Sequence, residues 1–201
     1  MRRAFKEWAV ICRALASGRQ TVILRKGGII EEGGTFRPDY AEFLLFPTYS
    51  HQSPESVLPD ARRTVEELEA EQPETGEVVF RHYAVVTDAL RVESFDAVRA
   101  LRAEHVWSDE VIEERFHRWR EDAIYAIVVR VYRLPTPMTL ELREEYTGCK
   151  SWVYLDEEVP TEAATPVLTE GEFTRRASAI RAALGVVTAG GGTLKLAEWG
   201  N

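Results

Sequence analysis

Residues 123–134 read AIYAIVVRVYRL, a nearly continuous apolar run rich in β-branched side chains. A strand of this composition must be covered on both faces, so it predicts the centre of a sheet, ended by Pro135 and Pro137. Three more segments supply neighbours: QTVILR (20–25), EFLLFPTY (43–49, with Glu42, stopped by Pro47) and EVVFRHYAVVTDALRV (77–92), the last a long strand or a bent pair. YTGCKSWVYL, from Tyr146, supplies a turn at Gly148 and one further strand.

Helical periods separate these strands. Phe5, Trp8, Cys12 and Leu15 recur at three- and four-residue steps and predict a helix closed by Gly18, although WAVIC also suits the first strand of a hairpin. Pro54 and Pro59 precede ARRTVEELEAE, a helix that stops before Pro73. Eight carboxylates against two arginines in 55–77 predict that most of it faces water. Ser94 and Ser108 are placed to cap two helices, FDAVRALRAE and DEVIEERFHRW, and EGEFTRRASAIRAALG predicts a C-terminal helix closed by Gly185. The fold class is therefore α+β, with the strands in one mixed sheet or barrel. Residues 1–160 read as a single α+β domain. Residues 161–201 read as a linker, the last helix and a glycine-rich tail.

The chain of 201 residues is long enough for a sizeable core, and no apolar run reaches the roughly 18 to 20 residues of a membrane span. No signal-peptide pattern follows Met1, and two distant cysteines, Cys12 and Cys149, suit reduced thiols; a cytoplasmic location is the expectation. Net charge is −8, yet residues 1–28 hold seven cations (Arg2, Arg3, Lys6, Arg13, Arg19, Arg25, Lys26) against Glu7 alone. An acidic body argues against tight non-specific duplex binding, while a basic segment permits a local anion or nucleic-acid site. Pairing of these arginines with the protein's own carboxylates is the alternative.

KEWAVICRALASGRQTVILRKGGI, EFLLFPTYSHQ and YTGCKSW together resemble a bacterial domain-of-unknown-function family, the one numbered eighteen-oh-two, over about residues 4–160. That resemblance implies no assigned activity; a restriction-modification or defence context is suggested for the family. The opening SGRQTVILR is similar to that of ASCH domains in the PUA-like superfamily, whose motif is Gly-x-Lys-x-x-Glu-x-Arg. Gly18 and Arg25 match it, whereas Gln20 and Ile23 stand at the lysine and glutamate positions. The resemblance implies a PUA-like mixed β-barrel, or a curved sheet flanked by helices. It also implies a cleft of the kind that binds RNA or modified bases.

Two stretches carry the candidate ligand site. Arg25 and Lys26 end a strand beside Gly27 and Gly28, where loop amides and two cations can face a phosphate; a solvated strand end is the plain alternative. FPTYSHQ then offers Thr48, Tyr49, His51 and Gln52 after a core strand. Its hydroxyls, imidazole and amide can read a base edge and its ring can stack, although turn capping uses the same groups. Trp152 is a second stacking candidate. His105, Trp107, His117 and Trp119 read as packing residues, and Cys149 as a buried or turn thiol without an activating neighbour.

Enzyme patterns are fragmentary. No P-loop pattern is present. Asp39, Glu42 and His51 form part of a Mg²⁺ nuclease or phosphohydrolase set, with Leu44 where its lysine belongs, and Glu66 and Glu67 lack the surrounding Nudix box. No His/Cys cluster has zinc spacing, and no cofactor is called for. The sequence thus predicts a binder of RNA, DNA or nucleotide, with a Mg²⁺-dependent hydrolase as one alternative. A protein-interaction module docking through the acidic helix is the other.

Overall fold

The computed structural model describes residues 1–26, 41–74, 76–118 and 121–186. Among these, seven strands and five α-helices form a mixed sheet with helices packed on it, the α+β class expected. Strand β1 (Arg3–Trp8) runs directly into helix α1 (Ala9–Ala16); β2 is Val22–Arg25 and β3 is Glu42–Thr48. Helix α2 (Arg62–Ala70) leads to β4 (Glu77–Val92), followed by α3 (Phe95–Ala100), α4 (Asp109–His117) and β5 (Ile124–Glu141). Two short strands, β6 (Trp152–Tyr154) and β7 (Thr165–Pro166), precede α5 (Glu170–Ala183). The sheet order is β2-β5-β4-β3-β1-β6, with β7 added to β5.

β1 and β3 are parallel and the other pairs are antiparallel, so the C-terminal ends of β1 and β3 emerge side by side. The sheet is curved and open. Its two edges still approach: Arg25, at the end of edge strand β2, donates to Ser151 beside edge strand β6 and lies over the Phe5 ring of β1 at 4.9 Å.

Both faces of the sheet are covered. One carries the larger core, with Phe5, Ile11, Leu15, Phe43, Trp107 and Ile127 among its members, to which α5 adds Phe173, Ala177 and Ile180. The other carries a smaller cluster around Leu44, Phe46, Phe80, Tyr146 and Leu155. Adjacent residues Ala4 and Phe5, and Leu44 and Leu45, enter opposite clusters, as alternation along a strand requires.

Three expectations are corrected. The helix expected from Phe5 to Leu15 is a strand in its first part, because Arg3–Trp8 fills the gap between β3 and β6 and pairs with both, Ala4–Trp8 with β3 and Arg3–Phe5 with β6. Helix begins only at Ala9 and closes at Gly18, whose φ of +73° is the left-handed cap expected. Nor do Pro135 and Pro137 end β5. Its ladder with β4 slips between the pairs His82–Arg133 and Phe80–Met138, and the prolines lie in that irregularity, where no ladder N–H is required. Likewise β3 passes through Pro47 to Thr48.

Several finer expectations hold. Ser94 and Ser108 cap α3 and α4, accepting from the amides of Ala97 and Val111. The turn at Gly148 has φ +77°, and α2 buries only Val65 and Leu68. The glycine loop after Lys26, with Asp39, and the tail beyond Val186 lie outside the described residues, as does Trp119. No described helix is long and apolar enough to cross a membrane.

Candidate ligand-binding cleft

The ends of β1, β2 and β3, the turn after β3, helix α4 and the loop before β6 enclose a cleft of about 1050 Å³. Its floor is organised by Glu7. This carboxylate is 2% exposed; Oε1 accepts from the Trp8 amide at 2.9 Å and Oε2 from Arg25 at 3.4 Å. The Glu7 carbonyl accepts from the Thr48 hydroxyl at 3.1 Å, tying the parallel strands together where they enter the cleft. Arg25 completes the knot with a 2.6 Å bond to the Ser151 hydroxyl.

A second cation lies behind the first. Arg115 of α4 is sandwiched between the rings of Trp8 and Trp107, at 5.1 and 4.8 Å, and donates to the Leu24 carbonyl. Burial pulls its pKa down, and the nearby Glu7 carboxylate opposes that shift. Lys6, Lys26, Arg118 and Lys150 also line the cleft. Opposing them are four carboxylates, Glu7, Glu74, Glu77 and Glu114, and Glu7 and Glu114 are already engaged by Arg25 and Arg118.

Five of the seven residues singled out in the sequence meet here: Arg25, Lys26, Thr48, Tyr49 and His51. Lys26 is turned to another task, donating to the carbonyls of Phe116 and Glu121, where its charge meets the C-terminal end of α4. Tyr49 packs against the larger core and also lines the cleft, and burial raises its pKa. His51 is exposed and holds φ at +69°, a conformation that is uncommon for a side chain of this size.

The other two lie behind the lining. Gln52 is buried and its Oε1 accepts from the Val10 amide at 3.1 Å, so it satisfies the start of α1. Trp152 packs on Phe5 and Phe43, with ring centroids 4.8 and 5.3 Å away. Cys149 is exposed on the cleft rim, a turn thiol. His105 and Trp107 are buried, as packing residues should be.

Glu42 opens β3, whose six steps at 3.3 Å put it roughly 20 Å from Thr48, while His51 stands in the turn beyond Thr48 and lines the cleft, which Glu42 does not. The described part of the hydrolase set therefore does not converge. No group of three His, Cys, Asp or Glu side chains suited to a metal ion occurs among the described residues. Gln20 and Ile23, at the lysine and glutamate positions of the ASCH motif, are fully buried. Gln20 spends its amide on the Val22 carbonyl and the Val106 N–H. In this chain those positions pack.

Sequence reasoning missed Lys6, Glu7, Arg115 and Arg118. The available signal was RAFKEW: read with a period of two, it places Lys6 and Trp8 on one face and Phe5 and Glu7 on the other.

With this geometry, the chain belongs to the family whose model is described as Domain of unknown function (DUF1802), which matches residues 4–179. No curated protein matches it. Among solved structures it is similar to ASCH from Zymomonas mobilis, with 12% identity and a TM-score of 0.47, covering 88% of this chain and 92% of that one. A tyrosine-to-phenylalanine mutant of the Zymomonas protein aligns at 13% identity and a TM-score of 0.42, over 88% and 96% of the two chains.

Proposed function

We propose that the cleft binds nucleic acid or a nucleotide-like ligand. One observation carries this reading: a protein of net charge −8 gathers six cationic side chains around one cleft, beside an aromatic and imidazole turn. Field lines focused by such a cleft draw in polyanions that the rest of the surface repels. Tyr49 supplies a face on which a base stacks. Thr48 and His51 supply polar atoms for the edge of an ordinary or modified base, and the left-handed backbone at His51 keeps its imidazole at the rim. Arg25 takes the role of a fixed positive floor. It has one donor on Ser151 and one on Glu7, and it is held in place by bonds that a ligand does not have to make.

Fluorescence anisotropy with single- and double-stranded 12-mers of RNA and DNA, at 50 and 150 mM salt, tests the proposal. Binding should weaken as salt rises, and Tyr49→Ala should cost about fivefold or more in affinity, the lower end of base-stacking contributions. Absence of binding to every oligonucleotide at the lower salt concentration would contradict it. The acidic face of α2 would then become the surface to test against protein partners.

A further inference from the structure

Many of the described arginines have a carboxylate partner. Arg13, Arg19, Arg63, Arg91, Arg118, Arg130, Arg143, Arg176 and Arg181 each form an ion pair. Lys6 and Lys150 do not. Lys6 Nζ donates to the Gly148 carbonyl at 3.2 Å and lies 5.5 Å from the Phe46 ring centroid; Lys150 Nζ donates to the Glu145 carbonyl at 2.7 Å. Each ammonium carries three donors, so neither is saturated by these bonds.

The two lysines are also held beside one another. The Lys6 amide donates to the Ser151 carbonyl at 2.8 Å, which locks the loop bearing Lys150 against β1. Burial, and then the charge of Lys150, both lower the pKa of Lys6. Two like charges held near one another, with no carboxylate of the described residues within ion-pair distance of either ammonium, raise the free energy of the empty protein, and an anion between them removes that cost. Beside them runs Ser151, whose hydroxyl is bonded to Arg25.

We propose that Lys6 and Lys150 clamp one phosphate group of the ligand, at the β1–β6 side of the cleft. The clamp deepens the nucleic-acid reading and rests on it for the identity of the ligand. It moves the phosphate contact from Lys26, whose ammonium already makes two bonds to backbone carbonyls, to a pair whose ammoniums make one each. It also orients the ligand, with phosphate toward Lys6 and Lys150 and base toward Tyr49 and His51.

Lys6→Met and Lys150→Met, singly and together, test the clamp; methionine keeps the stem that packs on Phe46. Two measurements are made on the full chain. Anisotropy with a single-stranded 12-mer reads affinity at several salt concentrations, and amide NMR shifts during titration with inorganic phosphate read the anion site alone. The double variant should lose at least tenfold in affinity at 50 mM salt. Its slope of log K against log salt should fall by about 0.7, the expectation for one phosphate contact on a single strand. In the wild type, phosphate should shift residues 6 and 148–151, and the double variant should abolish those shifts. Unchanged affinity and slope in the double variant would overturn the clamp while leaving the cleft as a nucleic-acid site. Phosphate shifts lost in the variant, with no oligonucleotide bound by any form, would uphold the clamp and remove the nucleic-acid reading instead. Neither phosphate shifts nor oligonucleotide binding would remove both.

Discussion

Glu7 shows how one residue can hold a site together without touching its ligand. Its carboxylate sits between the Trp8 amide and the Arg25 guanidinium, and its carbonyl takes the Thr48 hydroxyl. Glu7→Gln leaves Arg25 without its countercharge, although Arg25, 20% exposed in its side chain, still reaches water. The substitution should cost about 2 kcal/mol in urea unfolding, within the range for a hydrogen bond to a charged group. It should also raise oligonucleotide affinity, because the cleft gains a net positive charge. Two histidines set a second expectation at this scale. Burial, then Arg133 and Arg81, lower His82 to about 4; burial, then Arg102, lower His105 to about 4 as well. Both are depressed below the ordinary 6.5, so the unfolded chain binds protons that the folded one refuses. Stability is therefore full above 6.5 and declines as pH falls toward 4. Urea midpoints measured from pH 7 to 4.5 should drop, and a His82→Gln/His105→Gln variant should drop less over the same range.

At the scale of elements, closure of α1 depends on one glycine. Gly18 has φ +73°, and a Cβ there would stand 2.5 Å from Leu168 Cδ2, just ahead of α5. Gly18→Ala should therefore destabilise by about 2 kcal/mol, combining overpacking with left-handed backbone strain, as thermal unfolding would read. Elements were legible where a local rule decided them. Ser94 and Ser108 announced helix starts, Gly18 and Gly185 helix ends, and residues 124–134 a central strand. They were illegible where a distant partner decided. Arg3–Trp8 carries apolar residues at both strand and helix steps, and its pairing with β3 and β6 settles the choice. Pro135 and Pro137 look like terminators until β4 is laid beside them and the ladder slips at that point.

For the molecule as a whole, the curvature of the sheet makes the cleft. Arg25 from one edge meets Ser151 beside the other, and the parallel ends of β1 and β3 open between them. This also explains how much of the cleft could be read in advance. Arg25, Thr48, Tyr49 and His51 stood out because they end strands or come just after them, and they meet in one cleft. Gln52, in the same stretch, and Trp152, which offered a second stacking ring, turn inward instead, into a helix start and an aromatic cluster. Lys6 and Lys150 meet only because β1 pairs with β6 from the far end of the chain, which no local pattern announces. The most direct measurement is amide NMR mapping of the full chain with whichever 12-mer binds most tightly. If the cleft is the binding site, perturbed amides cluster at residues 6–8, 48–51 and 148–151. Perturbation confined to other surfaces, such as α5 or the far end of β3, would contradict the account.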